Sequence, residues 1–219
     1  MSDVRRVLAR EERAIHSAIL ELAGRAGRAF EEAIESLKRQ DAERAGRVIA
    51  DDQSINELRR RIERECLFAI ASQQPVARDL RELIAGLLIA SDLERIADHA
   101  AGIAKIVREM DPSDLSGPMD KLWQMAGVAR RMLQTVTLAY DTADPALARK
   151  VGDADTELDD LHEQCLATLV MRLATEADVH SHATHLLWIV HNLERQGDHA
   201  TNVAERVVFL VSGETPELN

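Results

Sequence analysis

The chain has 219 residues, a formal charge of −11, and 46% hydrophobic but only 3% aromatic residues. An acidic surplus with no basic stripe interleaved with aromatic rings excludes a nucleic-acid-binding face. The longest apolar run, Ile84 to Ala90 broken only by Gly86, is far too short to span a bilayer, so no direct membrane insertion is expected. Met1 to Glu12 is rich in charge and lacks a signal-peptide apolar segment. Cys66 and Cys165 stand singly in apolar stretches, as small hydrophobes do in a reducing compartment. A cytoplasmic location follows as an expectation.

Helical periodicity runs almost from end to end, and an aromatic-poor core of Ala, Leu, Ile and Val suits close-packed helices. The first helix is predicted from about Val4 to Arg39. Asp41 can cap a second, with Val48, Ile55, Leu58, Ile62, Cys66 and Ala69 on one stripe. Ser72-Gln73-Gln74-Pro75 ends it, and Pro75 is expected to open the third helix, which continues to about Met110. Asp111 to Asp114 and Ser116-Gly117-Pro118 form the only Pro/Gly-rich segment in mid-chain. A fourth helix is predicted to about Tyr140. Asp144-Pro145 starts a fifth, a break near Thr175 to Asp178 precedes the sixth, and the sixth ends near Ser212-Gly213.

The two halves repeat one another. Leu93 to Ala104 and Leu193 to Ala204 share seven of twelve residues, in the pattern Leu-Glu-Arg-x-x-Asp-His-Ala. Upstream, Ala45, Val48, Asp52, Ile55 and Leu58 align with Ala148, Val151, Asp155, Leu158 and Leu161 at a spacing of 103. Repetition at such a period means that a supersecondary unit was copied whole. The expected fold is all-α, two tandem antiparallel three-helix bundles, residues 1–111 and 112–219.

The copied block carries chemistry. Glu94 and Asp98 lie four apart and share a helical face, away from the stripe of Ile89, Leu93, Ile96, Ala100, Ile103 and Val107. Antiparallel helices turning near Gln74-Pro75 bring together residues equally distant from the turn. Asp52 and Asn56 precede it by about as many residues as Glu94 and Asp98 follow it. Asp155 and Asp159 stand likewise to Glu194 and Asp198 about the turn near Thr175-Glu176. Four converging oxygen-bearing side chains repel one another unless protonated or neutralised by a cation. Hard or borderline metals such as Mg, Mn, Fe or Zn suit such a set; pairing with Arg59, Arg95 or Arg195 is the other reading. The second half offers four carboxylates and the first three plus an amide, so tighter binding is expected in the second. His99 and His199, directly after the motif aspartates, are expected on the helix surface, as are His180, His182, His185 and His191. Glu-x-x-His ligand pairs of dinuclear bundle enzymes are missing from the motif helices, as are nucleophile sets and phosphate-cradling Gly loops, so enzyme activity is not expected.

Asp92-Leu-Glu-Arg-Ile-Ala-Asp-His-Ala, Asn192-Leu-Glu-Arg-Gln-Gly-Asp-His-Ala-Thr-Asn-Val-Ala-Glu and Gln74-Pro75-Val-Ala-Arg-Asp-Leu-Arg closely resemble the PhoU family of phosphate-transport regulators. The resemblance covers essentially the whole chain. It implies two similar three-helix bundles, and a cytoplasmic adaptor between the ATPase subunit of a phosphate ABC transporter and a phosphate-sensing histidine kinase. It also implies repression of the phosphate-starvation response when phosphate is plentiful, a homodimer, and metal ions held at the acidic motifs. Those motifs map onto Asp52, Asn56, Glu94, Asp98, Asp155, Asp159, Glu194 and Asp198. Gln196 departs from the aliphatic residue usual in the family and is expected to weaken local packing. A metal-free scaffold using its acidic faces to bind proteins is the alternative.

Overall fold

A computed structural model describes residues 3–111, 118–175 and 180–218. Within them the chain forms six helices: α1 (Asp3–Arg39), α2 (Ala42–Gln73), α3 (Ala77–Glu109), α4 (Met119–Thr142), α5 (Pro145–Thr175) and α6 (His180–Ser212). The expected inter-repeat segment at 112–117 and the break at 176–179 lie outside the described residues.

The turns explain the helix bounds. After α1, Gln40 adopts a left-handed φ of 53° and Asp41 N donates to Ser36 O at 2.9 Å. The Asp41 carboxylate then accepts from Arg44 N at 2.9 Å, satisfying one of the orphan donors of α2. The same turn recurs 103 residues on. Ala143 has φ 50°, Asp144 N donates to Ala139 O, and Asp144 Oδ1 accepts from Ala146 N and Leu147 N. Between α2 and α3 the expectation for Pro75 needs correction. Gln74, at φ 49°, closes α2 by donating to Ile70 O, and buried Pro75 belongs to the turn. Ala77 at φ 51° places the regular start of α3 beyond Pro75.

Helices α1, α3, α6 and α4 form a ring, each packed on the next. Outside the ring, α2 lies on α1 and α3, and α5 lies on α4 and α6. Buried Ala85, Ala90, Ala97, Ala100 and Ala104 let α3 approach three neighbours at once. The stripe read from sequence is buried throughout, from Ile89 to Val107. One continuous cluster of apolar side chains runs through both halves.

Helices α3 and α6 cross antiparallel at equivalent residues. Gln196 Nε2 donates to Ile96 O at 3.1 Å, and toward the ends Gly213 lies beside Arg81. A pseudo-twofold axis therefore passes between Ile96 and Gln196. Gln196 is 4% exposed and hydrogen-bonded across this axis, so it ties the halves together where weaker packing was expected. Because Glu94, Asp98, Glu194 and Asp198 flank the crossing, both acidic motifs fall at the middle of the molecule, on opposite sides.

Candidate functional site

The first acidic group is assembled by α2 and α3, the second by α5 and α6, as the turn distances require. In the first, Asn56 Nδ2 donates to Asp52 Oδ2 at 3.0 Å. Glu94 is buried, which raises its carboxyl above the usual range, and the charge of Asp98 raises it further. Burial, then the charge of Asp98 across the helix pair, also raises Asp52. Arg95 partly answers these charges, its Nη1 3.6 Å from Asp98 and its Nε 4.0 Å from Glu94. Arg59 hydrogen-bonds Glu63 at 2.6 Å, and its charge also offsets that of Glu94.

In the second group one acid, Asp155, is set more deeply than its counterpart, while Glu194 is less buried than Glu94 and Asp159 is exposed. Asp155 is 2% exposed, against the half-buried Asp52, and burial together with Asp159 and Asp198 pushes its carboxyl up to about 6. Asp159 and Glu194 are raised too, by burial first and Asp198 second. Arg195 grips Asp198, as Arg95 approaches Asp98. The reason for the deeper setting is Gly197. A Cβ at that position would lie 2.2 Å from Leu158 Cδ2 and 3.3 Å from Asp155 Oδ1, so the glycine admits α5 close against α6. The first copy has Ala97 there.

The donor chemistry fits a hard cation. Asp52 Oδ1, Asp155 Oδ1 and Glu194 Oε2 are buried oxygens without a hydrogen-bond partner, the kind of atom that normally finds one. Their arrangement is open: among the described residues no three His, Cys, Asp or Glu side chains are grouped to hold an ion. The eight candidate residues lie as two neighbouring sets of four across the helix pairs, close enough to perturb one another's charge but not drawn together around one point, with arginine neutralising part of each.

Sequence reasoning missed a second, inter-repeat group. His99 Nδ1 lies 2.9 Å from Asn192 Oδ1, and His199 Nδ1 lies 2.9 Å from Asp92 Oδ1. Asn202 Nδ2 adds a bond to Asp92 at 3.3 Å. Both histidines are half-buried between the halves, which corrects the expectation of a helix surface. Their spacing carried the signal: Asp92 and His99, and Asn192 and His199, are seven apart and share a face. Of the other histidines, His191 is exposed on the surface of α6 as expected, and its Nδ1 stands 3.7 Å from Glu194 at the edge of the second group. The side chains of His180 and His182 lie outside the described residues.

Similarity to known proteins bears on the family and the fold. The PhoU domain matches residues 19–107 and again residues 122–207. A phosphate-specific transport system accessory protein PhoU homolog of Xylella fastidiosa (strain 9a5c) is 36% identical over 188 residues, 84% of this chain and 78% of that protein. Its counterpart in Clostridium acetobutylicum is 30% identical over 206 residues, 94% of each chain. Among solved structures, the PhoU phosphate transport system regulatory protein of Streptococcus pneumoniae superposes with a TM-score of 0.90 at 28% identity, covering 96% of this chain and 99% of that one. PhoU from Pseudomonas aeruginosa gives 0.90 at 29% identity, with 94% and 99% covered.

Proposed function

The chain belongs to the PhoU family, a family of regulatory accessory proteins and not of enzymes, and we propose that it serves phosphate-specific transport as a cytoplasmic adaptor. It joins the ATPase subunit of the phosphate ABC transporter to the phosphate-sensing histidine kinase, and it restrains the starvation response when phosphate is plentiful. No helix among the described residues is long and apolar enough to cross a membrane, which suits an accessory that meets the transporter from outside the bilayer.

The observation that carries this reading is the copied acidic group at the centre of each repeat. In the second half Asp155, Asp159, Glu194 and Asp198 would hold a divalent or trivalent cation; in the first, Asp52, Asn56, Glu94 and Asp98. Such a cation, when bound, supplies the positive charge that Arg95 and Arg195 supply only in part. The chain's own residues do the rest. Helices α2 and α5 form the outer flanks of the ring, so their spacing from α3 and α6 sets the shape offered to a partner. Carboxylates drawn together across each pair would fix that spacing; carboxylates left charged and unpaired would push it open. We take the functional unit to be a homodimer.

The test is co-purification of the ATPase subunit and the kinase with the chain, with and without chelator. Wild-type protein should retain both partners and lose at least one on chelation. Glu194→Ala with Asp198→Ala should behave like the chelated protein while keeping its helical content. Retention of both partners by that variant would overturn the regulatory role of the acidic group. The metal-free scaffold is favoured by one observation, the internal Arg195–Asp198 pair. Elemental analysis of protein purified at neutral pH separates the two readings, because the scaffold predicts no stoichiometric metal.

A further inference from the structure

Comparing the two repeats residue by residue exposes a site that neither acidic group explains. Arg28 on α1 and Arg131 on α4 are equivalent, 103 residues apart, and each lies along its own helix over a glycine. Arg28 Nη1 is 3.5 Å from where a Cβ on Gly24 would be, and Arg131 Nη1 is 3.8 Å from the same point on Gly127. In the second repeat that guanidinium is answered from the neighbouring helix: Arg131 Nη2 donates to both oxygens of Glu157, at 3.2 and 3.1 Å. In the first repeat the residue in place of Glu157 is Ser54. No ion pair to Arg28 forms among the described residues.

One further change moves in the same direction, while Asp51 stands where the second repeat has Ala154 and Arg47 where it has another base, Lys150. Arg25 stands where the second repeat has Val128, and it reaches across the helix pair to donate from Nη1 to Ser54 Oγ at 3.3 Å. Arg47 approaches from α2. The three guanidinium groups line a cleft of about 420 Å³ between α1 and α2, floored by Val48 and Ile55. Carboxylates pair with two of these arginines, Glu21 with Arg25 at 2.6 Å and Glu43 with Arg47 at 2.9 Å, and Glu32 pairs with Arg44 at 3.4 Å, so Arg28 is the cleft arginine without an ion pair among the described residues. Asp51 also lines the cleft and tempers its charge.

We infer that the α1–α2 cleft of the first repeat binds an oxyanion, which takes the place that the Glu157 carboxylate occupies in the second repeat. The planar donor fork of arginine suits carboxylate and phosphoryl oxygens alike. Two sources present this chemistry, free inorganic phosphate and a carboxylate of a bound partner. This assignment stands apart from the adaptor reading and from the acidic groups, which lie between other helix pairs.

The experiment follows the arginine side-chain NMR signals of the full ¹⁵N-labelled chain in metal-depleted buffer. Inorganic phosphate is titrated in one arm and acetate in the other, at constant ionic strength with chloride. Saturable shifts at Arg25 and Arg28 are expected. Saturation by phosphate alone identifies a tetrahedral oxyanion, whereas saturation by acetate as well identifies a site open to a partner's carboxylate. Arg28→Gln should weaken binding about tenfold. Ser54→Glu should abolish it by supplying the carboxylate internally, on an exposed helical position where the fold is kept, as an unchanged thermal melt would verify. Glu157→Ser should create a second, weaker event at Arg131. No saturation in either arm, or saturation unchanged by Ser54→Glu, overturns the assignment.

Discussion

His99 and His199 stack ring on ring, centroids 5.5 Å apart and planes 27° from parallel, where the two copies of one motif cross. Each reaches past the other to the opposite repeat, His99 to Asn192 and His199 to Asp92. The network is symmetric in geometry and asymmetric in charge, because only one of the two acceptors is an acid. A double-mutant cycle on His199 and Asp92 should therefore show the larger coupling, about 1–2 kcal/mol, against about 1 kcal/mol or less for His99 and Asn192. Urea denaturation of the four single and two double alanine variants measures both. Equal couplings would mean that charge adds nothing at this crossing.

Gln196 supplies a second tie across the same axis. Gln196→Ala should destabilise the protein by about 1–3 kcal/mol, since it removes a buried hydrogen bond to Ile96 O and leaves space behind. Gln196→Leu, closer to the isoleucine of the other copy, should lie within about 1.5 kcal/mol of wild type. If the alanine variant is as stable as the leucine one, the glutamine does not hold the halves together.

Gly197→Ala tests why Asp155 lies deeper than Asp52. The added methyl would collide with Leu158, so α5 must shift away from α6, at a cost of about 1–3 kcal/mol. Asp155 should become more exposed and its carboxyl should titrate lower, nearer to its ordinary value. NMR titration of the Asp155 side chain reads this directly, and an unmoved titration would show that burial has another origin.

The raised Asp155 carboxyl has a consequence for stability with a definite sign. Its proton is held more tightly in the folded chain, up to about 6 against an ordinary 3.8. The folded state therefore binds more protons than the unfolded state between those values, and this contribution to stability falls as pH rises through that window. The loss is on the order of 3 kcal/mol. His99 works in the opposite sense on the acid side of its ordinary 6.5. Burial depresses it, so its contribution falls as pH drops below that value. Asp155→Asn should reduce the first slope, to which the raised Asp52, Glu94, Asp159 and Glu194 also contribute, and leave the second, as denaturation midpoints at pH 4.5, 6 and 7.5 would reveal.

Cation binding should reverse the Asp155 effect at neutral pH. Divalent metal should raise the melting temperature of wild type at pH 7.5, and less so for Asp155→Asn than for Asp52→Asn, because the second group has four carboxylates and the first only three. Identical losses in the two variants, measured by calorimetry, would contradict the predicted order of affinity.

The helices were legible because their signals are local. Asp41 and Asp144 begin α2 and α5 by bonding amides three residues on, and a 3.6-residue apolar period needs no knowledge of the partner. Register was legible too: a sharp turn at Gln74-Pro75 leaves Asp52 and Glu94 few ways to be anything but level. Pro75 itself misled, because its usual place in the first helical turn was taken over by the left-handed backbone at Gln74 and Ala77.

By itself, then, the sequence determined six helices, their duplication and the pairing of acids across each hairpin. Which helices meet was decided only by the tertiary structure. Helix α3 is apolar or small on three sides and packs on α1, α2 and α6 together, so periodicity cannot choose among its neighbours. The antiparallel crossing of α3 and α6 is a contact between residues 100 apart. It turns His99 and His199 inward, buries Gln196, and places both acidic groups at the waist of the molecule. The single missing methyl of Gly197, invisible as a signal until α5 is packed against it, separates a half-buried Asp52 from a buried Asp155.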